Sequence, residues 1–215
     1  MKMLHQLREI HKGLDKVRTG WTNRNIPQEI AETVLQQSKK VAKAASIYGK
    51  HCTDIDIKKL VTMALTHDFA EYKEKDYIPG EITKEEKHRR EKVVMMELKE
   101  SMGEKGEQLF NIWMEHEQGE TKESQIVHQL DKLDAAIQAM EYEKLGHDSV
   151  KEFYPYTLGK LTDPVLMQIL EFLLKKEYLE INTYDQYFLL LEYNGDEELF
   201  KERIEILLQR KITQN

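Results

Sequence analysis

Apolar residues recur at helical spacing along nearly the whole chain. Leu4, Leu7, Ile10 and Leu14 form one stripe, and Ile30, Val34, Val41, Ala44 and Ala45 form a second. No stretch alternates apolar and polar residues over the length of a strand, so the pattern predicts an all-α chain. Between the two stripes the segment RTGWTNRNIP, Arg18 to Pro27, breaks the period with Gly, Asn and Pro and reads as an ordered loop. Trp21 flanked by Arg18 and Arg24 is an unusual loop composition; it suits a ligand contact, and equally a tryptophan that lids the core beside two solvated arginines.

Asp54 is placed to cap the next helical segment, IDIKKLVTMALTHDFAEYKE, with Leu60, Met63, Ala64 and Leu65 turned inward. The stretch KDYIPGEIT ends it as a loop. Thr83 and Glu86 form a capping box for a long charged helix to about Ser101, whose KEEKHRREK portion reads as a solvated face. Helices are expected at about 104–118 and 121–144, a loop around Pro155, Gly159 and Pro164, and a further helix from Asp163 to about Tyr178. The remainder holds a cluster of Tyr184, Tyr187, Phe188, Leu189, Leu190 and Leu191, suited to padding the core or to an oligomer interface.

Length and charge narrow the function classes. With 215 residues the chain fits one domain with an appendage. Its 39 acidic and 32 basic side chains give a net charge of −7, which disfavours polymeric nucleic acid and anionic membranes as partners. The single cysteine, Cys52, excludes an internal disulfide framework and a cysteine-cluster zinc site, and points to a reducing cytoplasm. The charged opening MKMLHQLREIHKGLD reads as neither a signal peptide nor a membrane span.

Histidine followed by aspartate occurs twice, at His67-Asp68 and His147-Asp148. The second pair sits beside Gly146 in a polar stretch and reads as an ordinary helix end. The first follows the apolar run LVTMAL, which carries two ionisable groups toward the interior, where they are costly unless paired. An imidazole and a carboxylate are joint ligands for a divalent cation, which would neutralise the carboxylate and accept the ring nitrogen. Asp131, between Leu130 and Leu133, is a second inward carboxylate that calls for a cation or several donors, or equally for a salt bridge to a lysine at the core edge. Glu71, one turn from His67, and Asp76 at the loop entrance can border the same pocket and serve in proton transfer.

These residues resemble the HD-domain metal-dependent phosphohydrolases, in the branch with HD domain-containing protein 2 and bacterial 5′-deoxynucleotidases. The matching pieces are RTGWTNRN, ALTHDFAEYKEKD, KEEKHRREK, HQLDKLDAAIQAMEYEK and FYPYTLGKLTDP, in family order over about residues 4–178. The resemblance implies a helical bundle over residues 1–178 with a C-terminal helical extension, 179–215, packed on the same domain. It implies a divalent metal (Mn, Co, Mg or Zn) on His67, Asp68 and Asp131, and a nucleoside 5′-monophosphate as substrate. By the same resemblance Glu71 and Asp76 are catalytic, Arg18 contacts the phosphate, and Trp21 lines the sugar pocket and helps exclude a 2′-hydroxyl. A homodimer is a further expectation carried from the family.

One position departs from the pattern. Where the family has a first histidine ligand on the second helix, PQEIAET places Thr33. Three ligands plus water still suffice for a catalytic site. His128, one turn before Asp131, can supply a substitute imidazole, and Glu32 or a water held by Thr33 are further options. A nucleotide-binding or regulatory protein without turnover is the alternative that this departure favours.

Overall fold

The computed structural model describes residues 2–78 and 80–213, with their side chains from 4 to 206. Eleven α-helices account for the described secondary structure apart from three 3-10 turns and one isolated antiparallel bridge, Val17 to Thr33. The helices are α1 Lys2–Leu14, α2 Thr19–Thr22, α3 Val34–Tyr48, α4 Ile57–Thr66, α5 Lys84–Met102, α6 Glu104–Gln118, α7 Lys122–Lys144, α8 Phe153–Leu158, α9 Pro164–Leu174, α10 Thr183–Glu192 and α11 Glu197–Thr213. Among the described residues no helix is long and apolar enough to cross a membrane. The chain divides into two units, Met1–Ser46 with Asp54–Asp131, and Ile47–Thr53 with Lys132–Asn215.

In the first unit a core of Ile10, Leu14, Val34, Val94, Met95, Leu98 and Trp113 gathers α1, α3, α5 and α6. Ala70, at the centre of a 3-10 turn Phe69–Tyr72, is buried in the same core. That anchorage matters because the turn directly follows the His67-Asp68 pair. α1 lies so close to the turn that a Cβ on Gly13 would collide with the Tyr72 carbonyl, so glycine is required there. The Lys16 ammonium secures the approach by donating to the carbonyls of Glu71, at 2.5 Å, and Glu74.

In the second unit Leu166, Ile169, Leu170, Phe172 and Leu173 of α9 are buried, as are Tyr187, Leu190 and Leu191 of α10 and Phe200 and Ile204 of α11. Phe172 meets Phe200 edge-on at 5.0 Å. The aromatic cluster of the C-terminal segment is therefore divided, with Tyr187, Leu190 and Leu191 inside and Tyr184, Phe188 and Leu189 partly exposed.

Several local expectations shift. The cap of α4 is Asp56, whose carboxylate accepts from Lys59 N, whereas Asp54 adopts a left-handed turn at φ 59°. Leu65 points outward. Ile30 precedes α3 and is exposed, because α3 starts only at Val34. The RTGWTNRNIP loop contains the short helix α2. The expected loop at Pro155 is α8, where the proline falls in the first turn and costs no intrahelical bond. α9 ends at Leu174, four residues short of Tyr178. Thr83 does cap α5 by accepting from Glu86 N.

Candidate active site

α4 ends at Thr66, and His67 stands at its C-cap with its ring Nδ1 2.8 Å from the Ala64 carbonyl. Carbonyls in the last helical turn lack intrahelical donors, so this N–H satisfies one of them and fixes the tautomer. Nε2 is thereby directed away from the helix. It is buried without a hydrogen-bond partner, 3.3 Å from Asp68 Oδ2 and 3.8 Å from Asp131 Oδ1. Two carboxylates this close to the buried nitrogen require either a proton on it or a metal cation between them. Burial alone would push the His67 pKa down, but the charges of Asp68 and Asp131 override it and raise it to about 10. Burial also opposes ionisation of Asp68, which His67 and Arg18 nevertheless hold below the usual carboxylate range.

Arg18 ends the segment between α1 and α2, pinned by its backbone N–H to the Glu32 carbonyl at 3.0 Å. Burial works against its charge, and the fields of Asp131, Asp68, Asp76 and Glu32 more than restore it. Its Nη1 is buried and has no hydrogen-bond partner. Asp76 accepts from the Thr19 backbone N–H at 2.7 Å, which draws the start of α2 against the loop after the 3-10 turn. Trp21 is buried, and its indole N–H donates to Glu32 Oε2 at 3.3 Å. The indole is thus held rigidly, as a core lid is, on the element that carries Arg18.

Glu71 is buried in the 3-10 turn. Burial and then the charges of Asp68 and Asp76 push its pKa well above the usual carboxylate range, which favours the protonated carboxyl. Its Oε2 has no hydrogen-bond partner, while Oε1 lies 3.8 Å from the Lys87 ammonium. Lys87 and Glu91 are the exceptions to a largely solvated KEEKHRREK face. Glu91 is buried with its pKa raised to about 7, chiefly by burial, and Lys87 bridges from it at 3.3 Å toward Glu71. The i, i+4 spacing of Lys87 and Glu91 puts them on one face of α5, and only the neighbours of that face make it an interior one.

Thr33 does not reach this group. Its hydroxyl accepts from Gln36 N at 3.3 Å while its own N–H donates to Gln36 Oε1 at 2.9 Å, so it is spent on a capping box at the start of α3. The α3 side chain that faces Asp131 is Gln37, fully buried, whose Nε2 donates to Asp131 Oδ1 at 2.6 Å. Gln37 was detectable only as a polar residue within the stripe Val34, Val41, Ala44 and Ala45. His128 is turned to the His116 carbonyl, 3.0 Å from its Nε2. His116 itself is buried, stacked on His67 at 5.5 Å between ring centroids, with neither ring nitrogen bonded and its pKa lowered to about 3, mainly by burial.

As they stand, no three His, Cys, Asp or Glu side chains among the described residues close around one point tightly enough to hold a metal ion. The donor set nevertheless fits one. Adjacent donors on a small divalent cation lie about 3 Å apart, close to the His67 to Asp68 separation. The wider gap to Asp131 coincides with the short bond that draws its Oδ1 to Gln37.

The HD domain family matches the chain over residues 14–169. The chain is 33% identical over 165 residues to the 5′-deoxynucleotidase HDDC2 of Dictyostelium discoideum, covering 71% of this chain and 86% of that one. It is 35% identical over 156 residues to the human 5′-deoxynucleotidase HDDC2, covering 71% and 74%. A solved structure titled as a predicted metal-dependent phosphohydrolase from Magnetospirillum magnetotacticum superposes with a TM-score of 0.62 at 18% identity, covering 81% of this chain and 90% of that one, a likeness of fold alone. A family match spanning most of the chain, joined to relatives above 30% identity, places this protein in the HD domain family.

Proposed function

We propose that the chain is a metal-dependent phosphomonoesterase that hydrolyses (deoxy)nucleoside 5′-monophosphates to nucleoside and phosphate. The observation that carries this reading is the buried Nε2 of His67, held by the Ala64 carbonyl to face Asp68 and Asp131 with Arg18 beside them. HD-domain phosphohydrolases depend on a metal, and the similar proteins from Dictyostelium and human are named 5′-deoxynucleotidases. His67, Asp68 and Asp131 would hold the cation. When bound, it supplies Lewis-acid stabilisation of the phosphoryl oxygens and acidifies water.

The remaining steps belong to the chain. Arg18 directs its unbonded Nη1 to the phosphate and offsets its charge. Water forms the new bond to phosphorus as the bond to the 5′-oxygen breaks; Glu71, whose surroundings favour its protonated form, donates its proton to that leaving oxygen, and the proton given up by the attacking water restores the Glu71 carboxyl. Asp76 assists by fixing α2 through Thr19, and Trp21 forms the sugar-side wall that disfavours a 2′-hydroxyl. Residues 1–178 form the catalytic domain in this reading and 179–215 an extension packed on it, with homodimerisation carried from the family. Mn²⁺, Co²⁺, Mg²⁺ and Zn²⁺ are the candidate ions, and a cytoplasmic setting agrees with the lone Cys52.

Phosphate release from a panel of deoxy- and ribonucleoside 5′-monophosphates, assayed with each ion, tests the proposal. Release with a preference for deoxynucleotides is expected. No release from any nucleotide, together with no metal retained by the purified protein, overturns it.

A further inference from the structure

Gln37 is a side chain of this group whose chemistry the proposed reaction does not use. It is fully buried; its amide nitrogen is committed to Asp131 at 2.6 Å, and its Oε1 is buried with no hydrogen-bond partner. A buried amide oxygen without a donor carries the full cost of its lost hydration, so such an atom calls for an explanation. The two heavy atoms of an amide head lie only about 2.2 Å apart, which keeps Oε1 close to the Asp131 carboxylate. Asp131 in turn faces His67 Nε2.

We infer that Gln37 is a fourth donor of the cation site, contributing its amide oxygen, and that it biases the site toward hard divalent ions such as Mn²⁺ and Mg²⁺ over Zn²⁺. The inference rests on the proposed metal-dependent reading of the same residues. A half-turn of the amide exchanges its two ends. Without a cation the nitrogen must face Asp131, because two oxygens there repel. With a cation between them both oxygens are attracted, and the hydrogen bond that draws Asp131 toward Gln37 is released. The amide orientation and cation binding are thus coupled. The resulting set is one nitrogen, from His67, and three side-chain oxygens, from Asp68, Asp131 and Gln37. A second imidazole in place of Gln37 would leave the charge unchanged and make the set softer, so the bias arises from donor type rather than from electrostatics.

Equilibrium dialysis of the full chain against Mn²⁺ alone and Zn²⁺ alone tests this with wild type, Gln37→Met, Gln37→His and Asp68→Ala, each checked for helical circular dichroism. Gln37→Met keeps length and loses the donor, and it is expected to bind Mn²⁺ at least about tenfold more weakly. Gln37→His is expected to shift the Zn²⁺ to Mn²⁺ affinity ratio toward zinc by a similar factor. Mn²⁺ binding by Gln37→Met equal to wild type overturns the inference; should that variant fail to fold, an unchanged ratio in Gln37→His overturns it instead. If Asp68→Ala binds both ions as wild type does, the cation site itself is misplaced and the metal-dependent reading falls with it. If Asp68→Ala loses binding while the Gln37 variants keep wild-type values, only the role of Gln37 is lost.

Discussion

The chain carries the His-Asp dipeptide twice, and the two copies meet opposite surroundings. His67-Asp68 follows the buried stripe of α4, and the first residue of the pair closes the helix through its own ring. His147-Asp148 follows the end of α7, where Gly146 turns the chain at φ 92° and the His147 backbone N–H reaches the Tyr142 carbonyl. Asp148 is 77% exposed and paired with Lys151 at 2.6 Å, an arrangement worth little in water. Both histidines terminate helices, but only His67 does so with its side chain. That use of Nδ1 leaves Nε2 in a buried space shared with two carboxylates, and there the dipeptide acquires a chemistry that composition alone does not confer.

The sharpest break of this contrast is Asp68→Ala against Asp148→Ala. Asp68→Ala is expected to abolish both metal retention and phosphate release, a loss well beyond the ~10–100-fold typical of outer partners, whereas Asp148→Ala leaves both intact. Metal analysis and a phosphate-release assay on the two proteins check it. Next in size is Glu71→Gln, which keeps the shape of the side chain and removes its proton; kcat is expected to fall by about 10²–10⁴ with helical circular dichroism and metal binding retained. Steady-state kinetics with a nucleoside monophosphate read this directly, and an unchanged kcat removes Glu71 from the reaction.

Gly13→Ala perturbs the first copy from behind, by pressing a methyl against the Tyr72 carbonyl of the turn that carries Glu71. A stability loss of about 1–3 kcal/mol in urea unfolding is expected, as for other overpacked sites. The smallest effect is expected at the second copy, where His147→Ala should change stability by no more than about 0.5 kcal/mol and leave kinetics untouched. A larger loss of activity in that variant would erase the contrast.

Much of the candidate site's grouping was legible because its signals are local. The run LVTMAL ahead of His67-Asp68 announced a pair carried inward, with His67 buried and Asp68 half-buried, and Asp131 between two inward leucines announced its counterpart. Glu71 and Asp76 followed from their nearness in sequence to that pair. Lys87 and Glu91 were misjudged because KEEKHRREK has too many charges for periodicity to single out one inward face. The Asp54 and Asp56 exchange at the start of α4 has a similar origin, since both are good caps and only the left-handed turn at Asp54 decides between them. His116 gave no sequence signal either; its burial depends on how α6 packs against α4.

The sequence by itself determined most of the longer helices, much of the stripe that each buries, and the pair at which α4 must end, because these depend on neighbours within one or two turns. It could not decide which residue of α3 stands level with His67. Thr33 and Gln37 are four residues apart, so periodicity places them on nearly the same face, about 6 Å apart along the helix axis. Their selection depends on how far α3 slides along Asp131, a partner 94 positions away in the chain. Tertiary packing sets that axial height, and it assigns Thr33 to the helix cap and Gln37 to the interior.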